Sequence, residues 1–148
     1  MYYNTPLSEV MTKDLTTVGP DDTLEVVDYI FNNNSFRHLP VVDKDGKILG
    51  MISKLDYNLL CNGMTLFRKD LEKENNLSFF RTLLSSEVMT KDLAKLPPST
   101  KISVAAGIFK ENLFHAIPIV TEGDKLIGLI TTIDMINYAY DQPALNFK

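Results

Sequence analysis

Residues 50–56 read GMISKLD, and residues 128–134 read GLITTID. The offset is 128 − 50 = 78, and it holds well beyond this phrase. VMTKDL at 10–15 returns as VMTKDL at 88–93, and FRHLPVV at 36–42 returns as FHAIPIV at 114–120. Laying residues 10–56 on 88–134 without a gap gives 18 identities in 47 positions. An internal duplication of this length constrains the fold more than any single motif, because each copy must satisfy one architecture with its own residues.

The architecture can be read from periodicity. In the first copy, residues 15–18 form a short β-branched and apolar stretch stopped by Gly19-Pro20. Asp21, Asp22 and Thr23 then supply capping chemistry for a helix. Leu24, Val27, Ile30 and Phe31 follow helical spacing and predict its core stripe, with Glu25, Asp28 and Asn32 on the opposite side. The run of Asn32, Asn33 and Asn34 ends it. Residues 39–42 and 48–52 are apolar runs flanking the turn DKDGK, which predicts a hairpin. Ser53 opens another helix, with Leu55, Leu59 and Leu60 towards one side.

The second copy gives the same order: 93–96, Pro97-Pro98, a helix near 102–110, strands at 117–120 and 126–130 around TEGDK at 121–125, and a helix from Thr131. The repeat unit is therefore β-α-β-β-α, an α/β (α+β) class. The expected boundaries are 7–60 for the first repeat, 61–84 for a helical linker and 85–142 for the second repeat. The charged centre of 57–87, FRKDLEKENN, with apolar Leu77, Phe79, Phe80, Leu83 and Leu84 after it, predicts two helical pieces joined near Asn75-Asn76. Those apolar residues, with Met135, Ile136, Tyr138 and Tyr140, exceed what a small lone domain covers, and a homodimer is expected.

Composition narrows the function. The chain has 148 residues, 45% hydrophobic and 23% charged, the profile of a folded globular protein. A net charge of −4 offers no broad basic face for a phosphate backbone, so nucleic acid is not an expected partner. The start, MYYNTPLSEVMTKD, lacks signal-peptide features, and charges interrupt every apolar run before the ~20 residues of a membrane span. The expected location is the cytoplasm, with no membrane partner. Cys61 is the only cysteine, so neither an intrachain disulfide nor a multi-thiolate zinc site is available, and it is read as helix packing. As a nucleophile it would need a histidine base, but His38 and His115 belong to strand ends. They also lack metal-ligand spacing, so neither an enzyme nor a metal site is expected.

The repeated phrases carry the candidate site. Ser53-x-x-Asp56 and Thr131-x-x-Asp134 have the form of a capping box, hydroxyl on the N3 amide and acid reaching back. The same geometry suits a ligand: a helix N-terminus attracts an anion, and a carboxylate accepts hydrogen bonds from both ribose hydroxyls. Both readings stand on the pattern alone. Arg37 and His38 could clamp a phosphate, or be solvated and bonded to a turn. The second copy has His115-Ala116 there, one basic group fewer. Gly50 and Gly128 permit close approach by a ligand or strand, or are packing choices. Met11-Thr12 and Met89-Thr90 pair a soft apolar group with a hydroxyl.

The succession VMTKDL, helix, FRHLPVVD, GKILGMISKLD resembles a cystathionine β-synthase (CBS) domain, and FHAIPIV with KLIGLITTID resembles a second. The resemblance covers about residues 7–140. It implies a Bateman module: two CBS repeats packed with pseudo-twofold symmetry, whose clefts bind adenosine nucleotides or related adenosyl ligands such as AMP, ADP or ATP, without a further cofactor. One cleft would combine Asp56, Ser53, Arg37 and His38 with the segment from Thr90 to Lys95. The other would combine Asp134, Thr131 and His115 with the segment from Thr12 to Thr17. Met51 and Leu129 would line the base pockets. Ala116 weakens the second phosphate site, and Lys95, standing where the first copy has Thr17, would either crowd the base or bind a phosphate; the Asp56 cleft is expected to be the tighter for a charged nucleotide. Such a module would signal in trans to a separate partner protein. The alternative is a structural dimerisation module with empty clefts.

Overall fold

The computed structural model describes residues 2–67, 78 and 82–140. The predicted linker helices around Asn75-Asn76, with Leu77, Phe79 and Phe80, lie outside the described residues. Two compact units form, and their limits cut across the repeats: Thr16–Asp92 is one, and Met1–Leu15 with Leu93–Lys148 is the other. The unit Thr16–Asp92 thus holds VMTKD of the second repeat, and the other unit holds VMTKDL of the first.

In the unit Thr16–Asp92, β1 (His38–Val42) pairs antiparallel with β2 (Ile48–Ser53). The Asp43 carboxylate closes the turn by accepting from the Asp45 and Lys47 amides, both at 2.9 Å. Gly46 there adopts φ 82°, a value that favours glycine. The predicted first strand is reduced to a single parallel bridge: the Val18 amide donates to Pro40 O at 3.0 Å, and the Val42 amide to Val18 O at 2.9 Å. Gly19-Pro20 stops the segment before a second pair can form. This pattern also explains a proline inside β1, because the bridge uses the carbonyl of Pro40 and never calls on the N–H it lacks.

The helix α1 (Leu24–Asn33) buries Leu24, Val27 and Phe31 as its spacing predicts. Thr23 makes no side-chain cap, while the Asp22 carboxylate accepts from the Gly19 amide at 2.7 Å in the turn before it. At the other end the Asn33 and Asn34 side-chain amides donate to the carbonyls of Tyr29 and Ile30, both at 2.8 Å, folding back over the last turn. The helix α2 (Lys54–Phe67) follows β2. Of its predicted apolar side, only Leu60 packs against the core; Leu55 and Leu59, 65% and 59% exposed, do not. They are four residues apart and so share a face, while Leu60 lies a further 100° round the helix. The short α3 (Ser85–Val88) is fastened by buried Ser85, whose amide and hydroxyl both donate to Asp22 O at 2.7 and 2.8 Å.

The other unit repeats the plan. Here β3 (Ala116–Thr121) pairs with β4 (Lys125–Thr131), α4 (Ile102–Lys110) covers them and α5 (Thr132–Tyr140) follows. Leu96 makes the same single parallel bridge beside Pro118. Leu7 is fully buried against Ile102, Ala105, Ile117, Ile119 and Ile130. Met135 and Tyr138, expected on a dimer face, pack against this core instead, whereas Ile136 and Tyr140 are exposed.

Candidate functional site

The phrase beginning at Gly50 builds one end of the Thr16–Asp92 unit. Met51 is buried, and its outward backbone groups pair with Thr90: Met51 N to Thr90 O at 3.0 Å and Thr90 N to Met51 O at 2.9 Å. The chain then leaves β2 at Ser53, which lies across the ladder from His38. The Lys54 amide donates to Arg37 O at 2.7 Å, tying the FRH segment to the start of α2. Ser53 caps the helix, its Oγ accepting from the Asp56 amide at 3.0 Å. The reciprocal half of the box does not form: among the described residues none donates to the Asp56 carboxylate, which is exposed. Ser53, Asp56, Arg37, His38, Met51 and Thr90 are thus held in one unit by β1, β2 and the start of α2.

The second copy places Thr131, Asp134, His115, Leu129 and Thr12 in equivalent positions. Leu129 pairs with Thr12 through bonds of 2.9 and 3.0 Å, and the Thr132 amide approaches His115 O at 3.4 Å. Here the capping box is complete. The Thr131 amide and hydroxyl both donate to Asp134 Oδ2 at 2.8 and 2.9 Å, and the Asp134 amide donates back to Thr131 Oγ1 at 3.2 Å. The Thr12 hydroxyl donates to the other oxygen, Oδ1, at 3.2 Å. Lys95 and Thr17 belong to the units opposite those of their expected partners, and the Lys95 ammonium pairs with Asp124 at 2.9 Å.

Two arrangements escaped the sequence reading. A Cβ on Gly50 would lie 2.4 Å from Met89 Sδ, and one on Gly128 would lie 2.3 Å from Met11 Sδ. The close approach that a strand glycine signals is thus made by the methionine of each VMT segment. Asp28, expected on the solvent side of α1, accepts a short hydrogen bond from the Tyr57 hydroxyl. Burial, then the Asp28 bond, push the Tyr57 hydroxyl well above its ordinary range, and burial raises the neighbouring Cys61 thiol. A raised thiol is a poor nucleophile. Among the described residues no group of His, Cys, Asp and Glu could hold a metal ion, and no helix is long and apolar enough to cross a membrane.

A duplicated sheet-and-helix unit, each copy placing a hydroxyl and a carboxylate at a helix start, defines a tandem-repeat fold of mixed helix and strand. The chain belongs to the CBS domain family, whose model matches residues 7–57 and 85–141. A CBS domain-containing protein of Dictyostelium discoideum is 28% identical over 131 residues, 88% of each chain. The inosine-5'-monophosphate dehydrogenase of Methanocaldococcus jannaschii is 30% identical over 141 residues, 95% of this chain but 25% of that enzyme. Among solved structures, CBSX2 in complex with AMP superposes with a TM-score of 0.74 at 23% identity, covering 92% of this chain and 96% of that one. The CBS domain pair of protein MJ0100, in complex with 5-methylthioadenosine and S-adenosyl-L-methionine, gives 0.71 at 18% identity, covering 91% and 95%.

Proposed function

We propose that this CBS pair is a regulatory module that binds an adenosine nucleotide or a related adenosyl ligand and signals in trans to a partner protein. The observation that carries the reading is the Asp56 carboxylate, exposed and free of donors among the described residues at the start of α2. A carboxylate so held can accept both ribose hydroxyls, while the neighbouring α2 amides and Arg37 favour a phosphate. Thr90 is paired with Met51 on the strand that leads into α2. The adenosyl ligands of CBSX2 and the MJ0100 pair support that ligand class. Exposed Leu55, Leu59, Ile133, Ile136 and Tyr140 support a homodimer as the form that reads the bound state out. The competing reading, a structural module with empty sites, is favoured by Asp134, whose carboxylate the chain already uses.

Thermal unfolding with AMP, ADP, ATP, S-adenosylmethionine and GMP tests the choice. A ligand at ~100 times its dissociation constant adds about 2.7 kcal/mol, a rise of roughly 5–10 °C in a domain of this size. A selective rise with one adenosyl ligand, lost in Asp56→Ala, is expected. A rise that survives Asp56→Ala removes the site assignment, and no rise with any of them removes the sensor reading.

A further inference from the structure

Each copy has a hydroxyl and a carboxylate at a helix start beside a threonine of the paired VMT segment, yet only one copy is closed on itself. In the first, Ser53 takes the Asp56 amide and the carboxylate is left without a donor from Thr90 or from any other described residue. In the second, Asp134 accepts from the Thr131 amide, the Thr131 hydroxyl and the Thr12 hydroxyl, with both carboxylate oxygens used. Two of those donors are hydroxyls, the same groups a ribose would bring. We infer that Thr12 and Asp134 form an internal latch in which the chain's own hydroxyls occupy the second site, so that the protein takes one adenosyl ligand where its duplication offers two. The inference rests on the ligand class proposed above.

The latch follows from local structure. The Thr12 backbone is held to Leu129 by two hydrogen bonds, and Met11 fills the space over Gly128, so the hydroxyl is delivered to Asp134 with little freedom left to lose. Hydrogen bonds to an ionised acceptor are the stronger kind. A ligand reaching Asp134 must first find the open form, and its apparent dissociation constant rises by the inverse of the open fraction. A latch open about one time in a hundred would weaken the second site by roughly a hundredfold, enough for a titration matched to the first site to read one.

Thr12→Val keeps the shape of the residue and removes the donor. Two measurements on the full chain separate the latch from the ligand class. Without ligand, amide hydrogen exchange at Thr131, whose N–H is held by Asp134, is expected to quicken by about threefold to tenfold in Thr12→Val. With AMP, calorimetry is expected to give one site per wild-type chain, none in Asp56→Ala and one again in Asp56→Ala/Thr12→Val. Unchanged exchange at Thr131 overturns the latch whatever AMP does. Two comparable AMP sites in the wild type, or no site regained in the double variant when the wild type binds one, also overturn it. Quickened exchange with no AMP bound by any variant overturns the ligand reading and the withheld site together, leaving the contact as a helix cap.

Discussion

Replacing Gly50 with alanine should be among the most damaging single-methyl additions available to this chain. The new Cβ would lie 2.4 Å from Met89 Sδ, 2.6 Å from its Cγ and 2.9 Å from its Cβ. The sulfur alone could swing away, since methionine is flexible. The Cβ cannot move without its backbone, and the backbone beside it is pinned: the Met89 amide donates to Ser85 O at 3.0 Å, and Thr90 is paired to Met51. Overpacking of this kind costs about 1–3 kcal/mol, and the pinned Cβ puts Gly50→Ala in the upper half of that range. For a chain of this size the melting temperature should fall by about 4–10 °C. Met89→Ala removes the two nearest atoms, Sδ and Cγ, and leaves only the 2.9 Å contact with the pinned Cβ, so Gly50→Ala/Met89→Ala should be less destabilised than the sum of the singles by at least about 0.5 kcal/mol. Chemical denaturation of the four proteins gives this coupling directly. Additive effects would refute the claim that Met89 is what the glycine accommodates.

Other expectations follow from the same geometry. The Tyr57 hydroxyl is raised in the folded chain, so the folded state keeps its proton where the unfolded state loses it. Its contribution is fully present below the ordinary tyrosine range near 10 and is lost as pH rises above that, and Tyr57→Phe should flatten the decline in denaturant midpoint between pH 9 and 11. In α4, a Cβ on Gly107 would meet nothing within 4 Å; Gly107→Ala should therefore stabilise by about 0.5–1 kcal/mol, seen as a higher denaturant midpoint at constant slope.

Much of the fold was legible because the residues that set it act locally. DKDGK and TEGDK make their turns through their own Asp and Gly, and Leu24, Val27 and Phe31 find the core by spacing alone. The hydroxyl and carboxylate of each Ser/Thr-x-x-Asp phrase fall at a helix start for the same reason, since the phrase follows directly on a strand. What spacing could not give was anything decided across the sheet. Asp28 falls on the polar side of α1 by periodicity, yet Tyr57 reaches it from α2. Leu55 looks like core beside Leu60, but the angle between them leaves it outside. Ser53-x-x-Asp56 and Thr131-x-x-Asp134 are one motif on paper, yet Asp134 is closed by the Thr131 amide and hydroxyl and by distant Thr12, while Asp56 takes no donor among the described residues.

The exchange of segments gives the duplication a physical meaning. Met11 and Thr12 belong by sequence to the first copy, but they pack on Gly128 and pair with Leu129 of the second; Met89 and Thr90 do the converse with Gly50 and Met51. Each VMT segment is therefore fitted to the other copy's strand, and a change in one strand's glycine is felt by a methionine 39 residues away in one copy (89 − 50) and 117 residues away in the other (128 − 11). A repeat cut out by its sequence limits would carry the wrong segment for neither shape nor chemistry, since both copies read VMTKDL. Position alone would decide whether a single repeat could close on its own segment. In the intact chain that choice is settled by α3: Ser85 and Ser86 bond to Asp22 and Pro20 just before Met89, directing the second VMT segment onto the first sheet. The first segment is directed by Leu7 and Ser8, which bond to Thr100 and Pro98. The candidate sites therefore inherit their geometry from contacts made several residues upstream of any group that would touch a ligand.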